Sequence, residues 1–336
     1  MAPGWGPPSP ASSRPVLRMT LVPHPMPQDP EVLQFIALSE SFFPPGWTGC
    51  SPAENRARYE ALAIAMRGHA PRDVSWTDFA IAAENPGRTI ASRRYRRNGD
   101  RCGAIVLYLH GGGFMLGGLE SHHDVCLGLC NETGAEIVAV EYRLAPENPH
   151  PAQSEDCEAA FLALSKEDRP VILAGDSAGA NLAAGLALRI RDRAYPVPAG
   201  QILVYPDLGG DRGAGSSIEN ADAPLLTRAD CFAYAAARTG GRAQRVDRDP
   251  DLAPLTALSF VGLPPALVVS ADIDPLRDDA RDYAEKLRAA GVRAEWRNEP
   301  QLVHGYLRAR HTSRRAAESF AAIASAIQAF AEAAQG

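Results

Sequence analysis

The sequence predicts an α/β fold, a mostly parallel sheet of eight strands flanked by helices. Three observations predict it. Apolar runs without polar alternation recur along the chain, helical stretches separate them, and glycine-rich turns follow two of the runs. A run that does not alternate is a strand covered on both faces, the condition of a parallel sheet. Regular strand–helix alternation is how parallel neighbours are connected. A chain of 336 residues suits one large domain with a small accessory element.

The elements follow in order. Residues 1–25 are rich in Pro, Ser and Gly and lack the apolar centre of a secretory signal, so a disordered tail is expected there. From Met26 the text becomes helical, with a helix expected over 27–43 behind an Asp-Pro start signal. A second helix is expected over 53–67, and together residues 26–70 form N-terminal helices that need a surface to cover. The main domain then runs over 71–336. Residues 75–83 and 89–97 alternate in part and read as an antiparallel opening pair. The continuous runs at 104–110, 136–142, 171–176, 201–206 and 266–272 are the parallel strands, and 294–299 adds an eighth. Helices are expected over 119–133, 152–165, 178–193, 277–290 and 313–334. The stretch 207–250 breaks this rhythm and is expected to insert above the sheet. No internal repeat is present.

Composition narrows the function. The net charge is −6 with a pI near 5.8, which argues against a protein that grips phosphate backbones. The run Arg93, Arg94, Arg96, Arg97 reads instead as a solvated edge strand whose charges discourage unwanted pairing. No stretch has the length of uncharged apolar sequence that a bilayer span needs. The six cysteines have neither zinc nor redox spacing. Cys126 and Cys130 lie four apart with no second ligand pair, so no metal is expected, and reduced thiols point to the cytoplasm.

The chemistry sits in the turns. Gly175-Asp176-Ser177-Ala178-Gly179 follows the strand VILA and precedes the helix NLAAGLALRI. That strand–turn–helix setting makes G-x-S-x-G a nucleophile elbow, with glycines where side chains would clash and the serine at the positive end of a helix. The bland reading is a tight turn with an incidental serine. His110-Gly111-Gly112-Gly113-Phe114 ends an earlier strand, and its glycines free backbone N–H groups to face a developing oxyanion. The expected donors are Gly112, Gly113 and Ala178. The alternative, a phosphate loop, lacks the P-loop and dinucleotide glycine spacings. Asp274, in a helix-capping position before Pro275, and His304, in Val303-His304-Gly305-Tyr306, complete a Ser, acid, His order along the chain. Each alone reads as a helix cap or a surface histidine. Both stand on loops after late strands, on the sheet edge where ligands bind.

These motifs, with Glu141-Tyr142-Arg143-Leu144-Ala145-Pro146-Glu147 and Asp274-Pro275-Leu276-Arg277-Asp278, resemble the bacterial hormone-sensitive-lipase-like esterases of the α/β-hydrolase fold over about residues 26–330. The resemblance implies Ser177 as nucleophile, His304 as base, Asp274 as orienting acid, and an oxyanion hole from Gly112, Gly113 and Ala178. It implies a helical cap, fitting 26–70 and 207–250. His110 becomes a loop-shaping residue, and 141–147 a scaffold locked by charge pairs and proline. Phe43, Trp47, Phe114 and Met115 are candidate wall or lid residues, with ordinary core packing the alternative for each. The implied reaction is hydrolysis of short- to medium-chain carboxylic esters through an acyl-enzyme, needing no metal or organic cofactor, with a small-molecule ester as partner and homodimerisation compatible with the family. A lactone or amide hydrolase using the same triad, and a non-catalytic ligand-binding protein on the same fold, are the alternatives. The stretch around 205–210 departs from the family text, so substrate preference is the least constrained inference.

Overall fold

The computed structural model describes residues 26–43, 49–83, 87–99, 102–241 and 249–336. The expected tail at 1–25 and Trp47 lie outside the described residues.

Helix α1 (Pro30–Phe42) starts where Asp29 accepts the N–H of Glu31 and Pro30 takes the first turn, where its missing donor costs nothing. Helix α2 (Pro52–Ala65) starts with a full capping box, Ser51 and Glu54 each accepting the other's backbone N–H. Strands β1 (Val74–Ala83) and β2 (Arg88–Arg97) pair antiparallel in one unbroken register from Val74 opposite Arg97 to Ala83 opposite Arg88. Then come β3 (Ile105–Leu109), α3 (His123–Thr133), β4 (Glu136–Val140), α4 (Ala152–Leu164), β5 (Val171–Asp176), α5 (Ala178–Asp192) and β6 (Gly200–Val204). Short α6 (Ser216–Glu219) and α7 (Arg228–Thr239) interrupt before β7 (Ala266–Ile273), α8 (Arg277–Ala289), β8 (Ala294–Val303) and α9 (Arg314–Ala333).

The eight strands form one sheet in the order β1-β2-β4-β3-β5-β6-β7-β8, parallel from β4 to β8. Strand β3 shows why alternation was absent from the sequence. Its Ile105, Leu107 and Leu109 enter one core and its Val106 and Tyr108 the other, all buried. The chain leaves β3 for β4 on one side and returns to β5 on the other. The carboxyl ends of β3 and β5 therefore flank the switch point, where such sheets leave a crevice.

Three expectations need correction. The arginine run does not lie on an edge. Strand β2 is second in the sheet, with β1 outside it, and Arg93 is buried against Asp78 and Glu120 at 2.6 and 2.8 Å. Arg94 reaches Glu136 and Glu167, and Arg96 also reaches Glu136. Helix α3 begins at His123 and not at 119, because the Ser121 hydroxyl accepts the N–H of Gly118 at 2.9 Å and so closes a local turn that competes with helix. Helix α8 begins at Arg277, so Asp274 lies outside the cap position, although its Oδ1 still accepts the N–H of Leu276 at 2.8 Å.

The 141–147 stretch is held as expected by charge pairs. Arg143 binds Glu155 and Asp156 on α4. Arg56 on α2 binds Glu147 and also donates to the carbonyls of Ala145 and Met115. One guanidinium thus ties α2 to two loops of the main domain. Among the described residues, no helix is long and apolar enough to cross a membrane.

Candidate active site

Ser177 stands between β5 and α5 with φ 52° and ψ −118°, in a region that L side chains rarely occupy. Its own N–H is held by the carbonyl of Val204 at 2.8 Å. The flanking glycines are sterically required. A Cβ on Gly179 would run into the backbone carbonyls of Leu109 and His110, and one on Gly175 into the backbone of Gly179. The turn is that tight because β3 and α5 pass each other backbone to backbone.

Asp274 follows β7 and is fully buried, and His304 follows β8. Their side chains meet Ser177 in series. His304 Nδ1 lies 2.7 Å from Asp274 Oδ2, and His304 Nε2 lies 2.8 Å from Ser177 Oγ. Asp274 Oδ1 is occupied by the N–H of Leu276, which leaves Oδ2 for the imidazole. Asn220, in the segment between β6 and β7, donates to the carbonyls of Asp272 and Asp274 and steadies this loop. The ring of Tyr205 packs on His304 with centroids 4.8 Å apart.

The glycine loop closes the other side. Gly112 and Gly113 have φ values of 124° and 60°, and a Cβ on Gly113 would collide with the ring of Tyr234 on α7. The N–H groups of Gly112, Gly113 and Ala178 make no hydrogen bond among the described residues. All three residues line the same chamber as Ser177 and His304. Unpaired N–H groups beside a nucleophile can receive an oxyanion.

Behind the loop lies a polar cluster that motif reasoning missed. Asp176 is buried, and its Oδ1 accepts from Tyr108 at 2.8 Å and from the N–H of Gly111 at 3.0 Å, with His122 Nε2 at 3.4 Å. Burial alone would push its carboxyl up, but His122 and the Tyr108 hydrogen bond hold it low. The signal was present, since Asp176 is the second residue of the elbow motif, but its role depends on partners remote in sequence. His110 is buried against Tyr142, rings stacked at 4.2 Å, and burial drives its pKa down to about 3. A neutral, enclosed imidazole suits the loop-shaping role and not that of a second base.

The chamber holds about 680 Å³. Of the candidate wall residues, Phe43 and Phe114 line it. Met115 does not. The chain reverses at Phe114, φ 64°, with Leu116 N–H bonded to Gly112 O at 2.8 Å, and Leu116 takes the place on the wall. Further apolar wall residues include Phe35, Leu62, Val125, Leu226 and Leu307.

Comparison with known proteins agrees with this fold. Residues 106–308 match a family described by the alpha/beta hydrolase fold. Carboxylesterase NlhH of Mycobacterium tuberculosis is 42% identical over 212 residues, which is 60% of this chain and 66% of that protein, slightly under two thirds of the relative's length. The carboxylic ester hydrolase LipN of the same organism is 36% identical over 267 residues, 75% of this chain and 69% of LipN. Among solved structures, an esterase of the bacterial hormone-sensitive lipase family superposes with a TM-score of 0.81 at 25% identity, covering 91% of this chain and all of that one.

Proposed function

Because the chain belongs to the alpha/beta-hydrolase family, among its bacterial hormone-sensitive-lipase-like esterases, we propose that it hydrolyses short- to medium-chain carboxylic esters through a serine acyl-enzyme. The observation that carries this is the hydrogen-bonded series from Asp274 through His304 to Ser177, opening onto a chamber with free N–H groups.

On this reading His304 Nε2 takes the Ser177 proton as Oγ attacks the ester carbonyl. The carbonyl oxygen becomes an oxyanion between the N–H groups of Gly112, Gly113 and Ala178. Asp274 stays ionised, keeps the Nδ1 proton in place and stabilises the imidazolium. His304 then protonates the departing alcohol, and water repeats the sequence on the acyl-enzyme. Helices α1 and α2 and the segment with α6 and α7 act as the cap over the chamber. The six described cysteines are present as thiols, which favours the cytoplasm as the place of action. A homodimer belongs to the same proposal, and sedimentation of the purified chain tests it.

Hydrolysis of p-nitrophenyl esters from acetate to palmitate, by the wild type and by Ser177→Ala, tests the function. Turnover favouring shorter acyl chains and absent in the variant is the expected result. A folded wild type that turns over none of them would shift the assignment to lactones or amides.

A further inference from the structure

The chamber wall has one unneutralised cation. Among the described residues Arg308 is the only lysine or arginine lining it. Its Nη1 donates to the carbonyl of Ser121 at 2.7 Å, and its guanidinium lies 4.5 Å above the ring of Tyr59. Its Nη2 is buried without a hydrogen-bond partner, and no carboxylate lies within ion-pair distance among the described residues. Buried Arg93 faces Asp78 and Glu120, buried Arg310 faces Asp124, and half-buried Arg212 faces Asp207 and Asp279. Buried Arg238 has no carboxylate either among the described residues, but it is not part of the chamber lining and donates to Asn181 Oδ1 and to the carbonyls of Asp251 and Leu252.

The acids of the wall do not supply the missing charge. Asp207 is taken by Arg212, and Asp230 by the capping box at the start of α7. Asp176 lies beyond ion-pair distance of Arg308, with Oδ1 engaged by Tyr108, Gly111 and His122 and Oδ2 by Tyr205. Glu40 and Asp222 are exposed. A guanidinium removed from water beside one carbonyl and Tyr59 has no carboxylate in contact, and arginine's planar donors match one. Phe35, Leu62, Val125 and Leu307 line the same chamber and suit a methylene chain.

We propose that Arg308, held over Tyr59, is an anion subsite that selects esters carrying a free carboxylate at a distance from the reacting bond. The inference rests on the esterase reading above and names the substrate class of that site. Carboxylate-bearing esters come in two kinds. Half-esters of dicarboxylic acids carry the anion on the acyl part, and acyloxyalkanoates carry it on the alcohol part.

The test measures kcat and KM by pH-stat for monoethyl adipate against ethyl hexanoate, and for 6-acetoxyhexanoate against hexyl acetate. The wild type, Arg308→Met and Arg308→Lys are compared. In the wild type one anionic ester is expected to exceed its neutral counterpart in kcat/KM, and the arm that does so assigns the subsite to the acyl or the alcohol side. That ratio should fall about 10- to 100-fold in Arg308→Met, chiefly through KM, and partly recover in Arg308→Lys. Free adipate should inhibit the wild type competitively and the Met variant more weakly by a similar factor. A wild type that prefers the neutral ester in both arms, or a Met variant that lowers both members of a pair equally, overturns the inference and leaves the esterase reading standing. If no ester of either kind is turned over, both fall. Should the Met variant fail to fold, the wild-type ratio and the Lys variant decide.

Discussion

Asp274 contributes two oxygens with separate duties, one to a backbone N–H and one to His304. Asp274→Asn keeps the shape but offers an amide where the imidazole proton must be received. The imidazole then settles in the wrong tautomer, and kcat should fall about 10⁴-fold with KM little changed. Steady-state kinetics on the folded variant checks this. His110 provides a second prediction, in stability. Its pKa is about 3 in the fold against an ordinary 6.5. Above 6.5 both states are neutral and it contributes nothing to pH dependence. Between 6.5 and 3 the unfolded chain binds a proton that the fold refuses, so stability falls as pH falls, with a slope approaching about 1.4 kcal/mol per pH unit. Urea unfolding at pH 7, 6 and 5 should show the loss, and His110→Asn should flatten part of it. A wild type equally stable at pH 7 and 5 would contradict the assignment. At this scale the residues proposed to react, Ser177, His304 and Asp274, were legible as candidates because their motifs state both chemistry and backbone need. Asp176, Tyr108 and Tyr205 were not, since their value lies in meeting one another across β3, β5 and β6.

Elements were legible in type more than in place. The Asp29-Pro30 signal marked α1 to within a few residues because a cap is a local bond, and α2, expected over 53–67, starts one residue earlier behind a Ser51 cap that was not foreseen. The arginines of β2 were misplaced because a charged strand reads alike at an edge or beside it. Only the pairing with β4, some forty residues on, decides which it is. Leu116 replaced Met115 because a reversal at a positive-φ phenylalanine leaves no mark in hydropathy. Helix α1 meets the rest of the chain through Val32, Phe35 and Ile36, and its start is pinned by Arg315 on Asp29. Phe35→Ala removes a buried ring from that contact, a loss of about 3–5 kcal/mol. The expected outcome is faster proteolytic cleavage near α1 and a raised KM for esters, while the main unfolding transition of the sheet moves little. Limited proteolysis beside calorimetry separates the two effects.

Across the whole molecule the sheet divides two cores, and β3 feeds both. Leu107 is fully buried in the middle of that strand. Leu107→Ala should cost about 2–5 kcal/mol, a drop in Tm of roughly 2–4 °C for each of them, and both cores should lose order together. Near-ultraviolet dichroism during thermal unfolding reads this, and a variant melting with the wild type would argue against a shared core strand. The sheet could be foreseen because its strands are continuous in sequence. The chamber could not, because its wall is assembled from residues within 26–43, 59–62, 112–125, 176–178, 205–207, 222–234 and 304–308 and from Leu276, and volume belongs to none of them singly.

The backbone at Ser177 sets chemistry and stability against each other. A φ of 52° with ψ near −118° is costly for serine, of order 1–3 kcal/mol, and nearly free for glycine. Ser177→Gly should therefore melt above the wild type while losing turnover, and the difference in Tm measures the strain held at that residue. In a lineage no longer selected for hydrolysis, this position would be expected to drift toward glycine.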